Sequence, residues 1–249
     1  MGFNIDRIKA NARAHYVQNK WNNVIVIVVW LVLQLVITSV ASSGASIIGT
    51  GGTILSLIPA VKEEADGFLT FLAGTALTAA ITMAISIGTS IFAVNILNMG
   101  VYTWFHKSIY HTGIDTAAMF DPFTKKYMNN VLTMLLKGLF MSLWSLLFVI
   151  PGIVKFYSYF AVEYIKAECP DMPPMKVLEL SEKMMNGHKM DVFVLELSFI
   201  GWLLLSALTF NLLAVFYVFP YYYAAHAFAY EEIKADAIAG GRVYAEEFM

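Results

Sequence analysis

Cysteine is almost missing from this chain: Cys169 stands alone among 249 residues. A lone thiol excludes an internal disulfide, a CxxC redox pair and a cysteine-based zinc cluster. Charge is scarce as well. Charged residues make up 14% against 59% hydrophobic, and a mean hydropathy of +0.66 excludes the balance of an ordinary soluble domain. The net charge of -2 says nothing about partners, because membrane orientation is read from where lysine and arginine sit and not from their total. Catalytic signatures are missing too: there is no GxSxG, no HExxH, no kinase or dinucleotide fingerprint. GTGGT at 49–53 lacks the lysine and the strand-to-helix setting of a phosphate loop and reads as a flexible turn. With no pair of carboxylates in a plausible soluble cleft, the chain is expected to be no enzyme and to hold no cofactor and no metal.

What is present is a series of long apolar blocks separated by short polar ones, the pattern of an all-α, polytopic transmembrane bundle. Six blocks read as membrane helices, 24–41, 68–101, 131–150, 153–167, 191–211 and 214–231, against the roughly 20 residues that cross about 30 Å of hydrocarbon. They form a single membrane domain over 1–249. Residues 1–23 are a basic head with Arg7, Lys9, Arg13 and Lys20. In it Ile5, Ile8, Ala12 and Tyr16 recur at helical spacing, so it can lie along the headgroups as an amphipathic helix. The rival reading, a signal peptide cleaved near Ala41 or Ala45, has against it an apolar stretch longer than a usual signal core. Residues 42–67, small and then acidic, read as an outer loop; 106–130 and 168–190, richer in lysine, read as inner loops.

The second block, Phe68 to Phe105, would reach roughly 55 Å as one helix and must protrude, tilt or break. Its ladder of small residues, Ala76, Ala80, Ala84 and Gly88, repeats every four and falls on one face, where a second helix can approach closely. The third block meets Pro151 and Gly152. Continuing a helix through that proline costs about 3 kcal/mol or more, so a tight reversal there is expected; the alternative, a kinked single helix, would flip every later segment. The reversal gathers Lys166, Lys176, Lys183 and Lys189 on one side with the basic head and the 106–130 loop. Both termini are then cytoplasmic, and the chain becomes three hairpins. Blocks five and six repeat the device with Asn211 and Pro220, and Ile165-Lys166-Ala167 recurs as Ile233-Lys234-Ala235. Between the hairpins, 173–187 reads as a short interfacial helix with Val177, Leu180 and Met184 on one stripe and Glu179 four residues before Lys183.

Charged groups within lipid are costly and mark candidate sites. Glu196, about one turn and a half inside the fifth block, leads, followed by Lys155, Glu163 and His226 as ligand- or ion-binding candidates. Lys155 and Lys137 can also snorkel to the headgroups, and Asn95, Asn98 and Gln34 suit hydrogen bonds between helices. His106, His111, Asp115 and Asp121 offer metal-ligand chemistry, but His106 and His111 are five apart and not on one helical face, no HExxH accompanies them, and no metal site is expected.

The stretches LWSLLFVIPGIVKFYSYFAVEYIKAECPDMP, LSEKMMNGHKMDVFVLELSFIGWLLLSALT and PYYYAAHAFAYEE, with the RIKANAR head, resemble the domain-of-unknown-function 975 family of bacterial polytopic membrane proteins. The resemblance implies a six-helix integral membrane protein without an assigned reaction. The functional expectation is a binding or accessory protein of the cell envelope, in stress, secretion or self-protection from a peptide toxin. The alternatives are a small transporter or channel with a polar site around Glu196, and a lipid-handling protein. Expected partners are membrane lipids and a membrane or secreted protein. Nucleic acid is not among them, because the basic residues flank apolar segments where anionic lipid accounts for them.

Overall fold

The computed structural model describes residues 3–60, 64–111 and 113–248, with the side chains of 45–60 and 64–71 outside that description. Its order is α1 (Ile5–Gln18), α2 (Lys20–Ala60), α3 (Glu64–Thr89), a π-helical turn at Ser90–Val94 and α4 (Asn95–Ser108). After a 3-10 turn at Thr116–Phe120 come α5 (Asp121–Thr124), α6 (Tyr127–Leu147), α7 (Val149–Ser158), α8 (Val162–Glu168) and α9 (Pro174–Met184). Helix α10 (Lys189–Leu208), a second π turn at Ala214–Val218, α11 (Phe219–Ala239) and a last 3-10 turn at Ala245–Phe248 complete it. No strand occurs among the described residues, as hydrocarbon requires of a chain that cannot close a barrel, since a helix satisfies its backbone within one segment.

Among the described residues, four stretches are long and apolar enough to cross a membrane: Lys20–Gly44, Leu72–Ser108, Tyr127–Leu147 and Lys189–Leu208. Six were expected. The return limbs differ because each is interrupted: 153–167 is divided between α7 and α8 by turn residues at 159–161, and 214–231 opens as a π turn before α11. The outer loop expected at 42–67 is also revised. Helix α2 runs on through Ala60 and α3 starts at Glu64, leaving 61–63 outside the described residues. Hydroxyl residues fit such helices without water because they bond back to their own turn: Thr38 Oγ1 donates to Gln34 O at 2.8 Å and Thr82 Oγ1 to Thr78 O at 2.8 Å.

The chain divides into two compact units, residues 31–95 and the remainder. Within 31–95, Ala76, Ala80 and Ala84 are exposed, and a Cβ added at Gly88 would meet nothing within 4 Å. The small-residue face expected to receive a helix is therefore open among the described residues; the four-residue spacing defined a face but not what covers it.

In the other unit, α4 and α11 are buried around most of their circumference, which is how a core helix differs from one with a single apolar stripe. Helix α1 packs its Ile8, Ala12, His15 and Tyr16 face along α11, so this head docks on protein, with Arg7 Nε on Glu232 Oε1 at 2.7 Å. Trp30 Nε1 donates to Asn98 Oδ1 at 2.8 Å, the interhelical bond expected of Asn98; Gln34, which belongs to the 31–95 unit, has its Oε1 buried without a hydrogen bond. Helix α9 buries Val177, Leu178, Leu180 and Met184 against the chain itself, Ser181 Oγ donates to Ser158 O at 2.8 Å, and Glu179 pairs with Lys183 at 2.8 Å.

The chain reverses at Phe148, whose φ of -158° and ψ of 147° are extended between two helices. Pro151 and Gly152 lie just beyond, inside the first turn of α7. There the proline's missing N–H is one the helix start leaves unbonded anyway. The glycine serves packing: a Cβ on Gly152 would stand 2.9 Å from Ser145 Cα of α6. The second reversal uses positive φ at Phe210 (49°) and Asn211 (63°). In α11, Pro220 cannot donate to the carbonyl of Phe216, and Tyr16 Oη of α1 donates to that carbonyl instead, at 2.8 Å.

Three substitutions check this account. Gly152→Ala is expected to destabilise the detergent-solubilised protein by about 1–3 kcal/mol through forced separation of α6 and α7. Gly138→Ala, with nothing within 4 Å of the added Cβ, is expected to be neutral or stabilising by about 0.5–1 kcal/mol. Tyr16→Phe removes only the hydroxyl and is expected to cost about 1–3 kcal/mol by leaving the Phe216 carbonyl unpaired; a thermal midpoint equal to wild type would contradict that assignment.

Candidate functional site

Helix α11 carries Tyr222, His226, Tyr230 and Lys234 at four-residue intervals, and the facing chain carries Phe160, Tyr164 and Glu168 at the same interval. Residues four apart share one helix face, so the two stripes meet along their length. Tyr164 stacks on Tyr230 with ring centroids 4.8 Å apart, Phe160 lies 5.6 Å from the His226 ring, and His106 of α4 packs edge-on against Tyr230 at 5.4 Å. A polar cluster sits at each end of this aromatic column.

At one end is Glu196 of α10. Its carboxylate accepts from Tyr157 Oη at 2.6 Å and from Tyr222 Oη at 3.4 Å, and His226 Nε2 stands 3.6 Å away. The other imidazole nitrogen, Nδ1, lies 2.8 Å from the carbonyl of Tyr222; a carbonyl only accepts, so Nδ1 carries a proton. Glu196 and His226, two of the expected site residues, are thus brought together. Glu163 and Lys155 are not. Glu163 accepts from Lys137 Nζ at 2.5 Å, and Lys155 Nζ binds Glu182 of α9 at 2.5 Å. Neither lysine snorkels: each is drawn sideways to a carboxylate, because an ion pair satisfies an ammonium group held away from water better than a bent stem does.

At the other end, His106 presents Nε2 to Glu168 Oε1 at 3.3 Å and Nδ1 to Glu231 Oε1 at 3.4 Å. Lys234 Nζ donates to both oxygens of Glu168, at 2.8 and 2.6 Å. Burial pushes the Glu168 carboxyl upward, but the hydrogen bonds and charge of His106 and Lys234 outweigh it and hold the group below its ordinary range. His106, Glu168 and Glu231 offer one ligand atom each within 4.8 Å of one another, which is metal-ligand chemistry in type. The two ring nitrogens face different carboxylates, however, and an ammonium already covers Glu168. The arrangement is that of a charge-paired core joining α4, α8 and α11. Of the other residues weighed for a metal, Asp121 is bound by Lys107 and Lys125, and Asp115 accepts from Ala117 N at 3.0 Å as a helix cap.

Residues 148–237 match the family described as protein of unknown function (DUF975). That segment belongs to the DUF975 family. The matched stretch opens at the reversal residue Phe148 and contains Tyr157, Glu163, Glu168, Glu196, His226, Glu231 and Lys234; His106, Lys137 and the RIKANAR head lie outside it. No curated protein and no solved structure matches the chain.

Reading the sequence missed His106, Glu168, Glu231 and Lys234 as a group. The signal was there in the four-residue interval of Tyr222, His226, Tyr230 and Lys234, but the partner stripe is drawn from residues remote in sequence. Since the folded carboxyl of Glu168 titrates below its unfolded value of about 4.3, the stability it contributes is present above that pH and lost as pH falls through the folded value. The thermal midpoint is therefore expected to fall from about pH 5 downward. Glu168→Gln is expected to lower the midpoint at pH 7 by the equivalent of about 1–3 kcal/mol and to flatten this acid limb; identical acid limbs in the two proteins would refute the assignment.

Proposed function

We propose that this chain is a multi-pass protein of the cell membrane that works by binding, as an accessory protein of the cell envelope, with no catalytic step of its own. The observation that carries the reading is how its buried charges are engaged. Lys137 is closed on Glu163, Lys155 on Glu182 and Lys234 on Glu168, while Glu196 accepts from Tyr157 and Tyr222. A transport site needs a charge that can be handed to an ion or solute, and an active site needs a group free to exchange a proton. Charges tied across helices hold a bundle together. The four membrane-length helices and the DUF975 segment agree with a membrane protein for which the family assigns no reaction.

The ion pair of Arg7 with Glu232 keeps the head beside the last helix, and with the lysine-rich 106–130 and 168–190 segments it supports two cytoplasmic termini. Membrane lipids and a membrane or secreted protein of the envelope are the proposed partners, in stress, secretion or self-protection from a peptide toxin. A transporter is the second reading, favoured by the π turns at Ser90–Val94 and Ala214–Val218, since interrupted helices line many translocation paths.

Flux assays in liposomes separate the two. Reconstituted wild-type protein is expected to carry no gradient-driven ion or solute flux, while mild-detergent purification after cross-linking in cells recovers a defined envelope protein at fixed stoichiometry. Flux that disappears on Glu196→Gln would overturn the accessory reading in favour of transport.

A further inference from the structure

Where α4 ends and α6 begins, a partly open cavity of about 40 Å³ is lined by Thr103, Lys107, Asp121, Lys125, Asn130 and Lys166, among others. Three ammonium groups here face one carboxylate. Lys107 and Lys125 both bind Asp121, the latter at 3.0 Å; burial raises that carboxyl, but the two lysines outweigh it and hold it below its ordinary range. Lys166 is different. It is 1% exposed, and its Nζ donates only to backbone carbonyls, those of Pro170 at 2.7 Å and Met172 at 3.2 Å. Among the described residues no carboxylate lies within ion-pair distance of it; Asp171, which is paired with Lys126 at 2.8 Å, acts on it only from further away. A buried charge without a close counter-charge is expensive, and the cavity wall is where a counter-ion would sit.

The wall also carries an unmet acceptor. Asn130 is 1% exposed, and its Nδ2 donates to Pro122 O and to Lys125 O, both at 2.9 Å. Those two bonds fix the orientation of the amide and leave Oδ1 buried with no hydrogen-bond partner. The complement of such a wall is a group that is anionic and yet carries one proton to donate. A phosphomonoester near neutral pH has both, since its second pKa is about 6, whereas sulfate has no proton to give. The depth fits as well. Lys107 is one residue from the end of the Leu72–Ser108 span and Asn130 three residues into Tyr127–Leu147, so the cavity lies beside the ends of two candidate spans, where a lipid headgroup can reach it.

We propose that this cavity is a phosphomonoester site, in which Lys166, Lys107 and Lys125 hold the anionic oxygens and Asn130 Oδ1 accepts from the P–OH. The group can belong to a lipid headgroup or to free phosphate. The site is separate from the Glu196 and His106 clusters and stands whether or not the accessory reading does.

The test uses the full chain. Inorganic phosphate is titrated into detergent-solubilised protein, and the protein is melted in nanodiscs of phosphatidylcholine with and without phosphatidic acid, sulfate at equal ionic strength being the control. Saturable binding or a raised midpoint with phosphate or phosphatidic acid, and not with sulfate, is expected. A response to both identifies the free anion as sufficient; a response in the nanodiscs alone identifies the lipid. Lys166→Met should weaken the response at least about tenfold, the loss of one charge-assisted bond. Lys125→Gln, at a side chain 57% exposed, is the variant that preserves the fold if the first does not. No response to either probe, an equal response to sulfate, or unchanged affinity in the folded lysine variants would overturn the proposal.

Discussion

Inside hydrocarbon no water takes over a broken hydrogen bond, and that constraint governs this molecule more than any packing preference. Many places where the backbone or a charge departs from a plain apolar helix are met by a partner within the chain. The carbonyl that Pro220 leaves unbonded receives the hydroxyl of Tyr16 from the first helix. Hydroxyls of Thr38, Thr82 and Thr103 return to carbonyls of their own turns. Lys137 and Lys155 find carboxylates 26 and 27 residues away in sequence. These contacts are what allow interrupted return limbs to coexist with membrane-length helices.

The polar residues are consequently organised around aromatic surface. Tyrosine presents an apolar body with a hydroxyl at one end, so it can line a buried column and still terminate on a carboxylate. Tyr157 and Tyr222 do this at Glu196, and the Tyr164–Tyr230 stack separates that cluster from His106, Glu168 and Glu231. The repeated Ile-Lys-Ala endings show how similar sequence serves different electrostatics. Lys234 reaches the carboxylate of Glu168, whereas Lys166 reaches only carbonyls beside a cavity.

Hydropathy made the membrane character and the helical class legible, because crossing hydrocarbon demands runs of apolar residues whatever their partners. The reversal near Pro151 was legible for the same reason: a proline there could not be carried through a helix cheaply. Its pivot was not. Phe148 has no turn-forming chemistry, and it takes an extended conformation because Gly152 lets α7 lie close on Ser145. Residues 42–60 misled in the opposite sense, since a Gly/Ser/Thr composition that would loosen a helix in water does not do so where the backbone has no other partner.

Glu196 and His226 stood out singly in the sequence because a charged or titratable group in an apolar block is conspicuous. That they share a cluster, that Glu163 and Lys155 do not join it, and that Lys166 and Asn130 face one cavity, depended on which helix faces met. By itself, then, the sequence determined that the chain is helical, belongs in a membrane and turns back on itself, since those follow from local solvation and backbone sterics. Only the tertiary structure decided which charges neutralise one another and which stay unmatched. Electrostatic pairing falls off over a few ångströms, and distances of that size between remote residues come into being only when the helices pack.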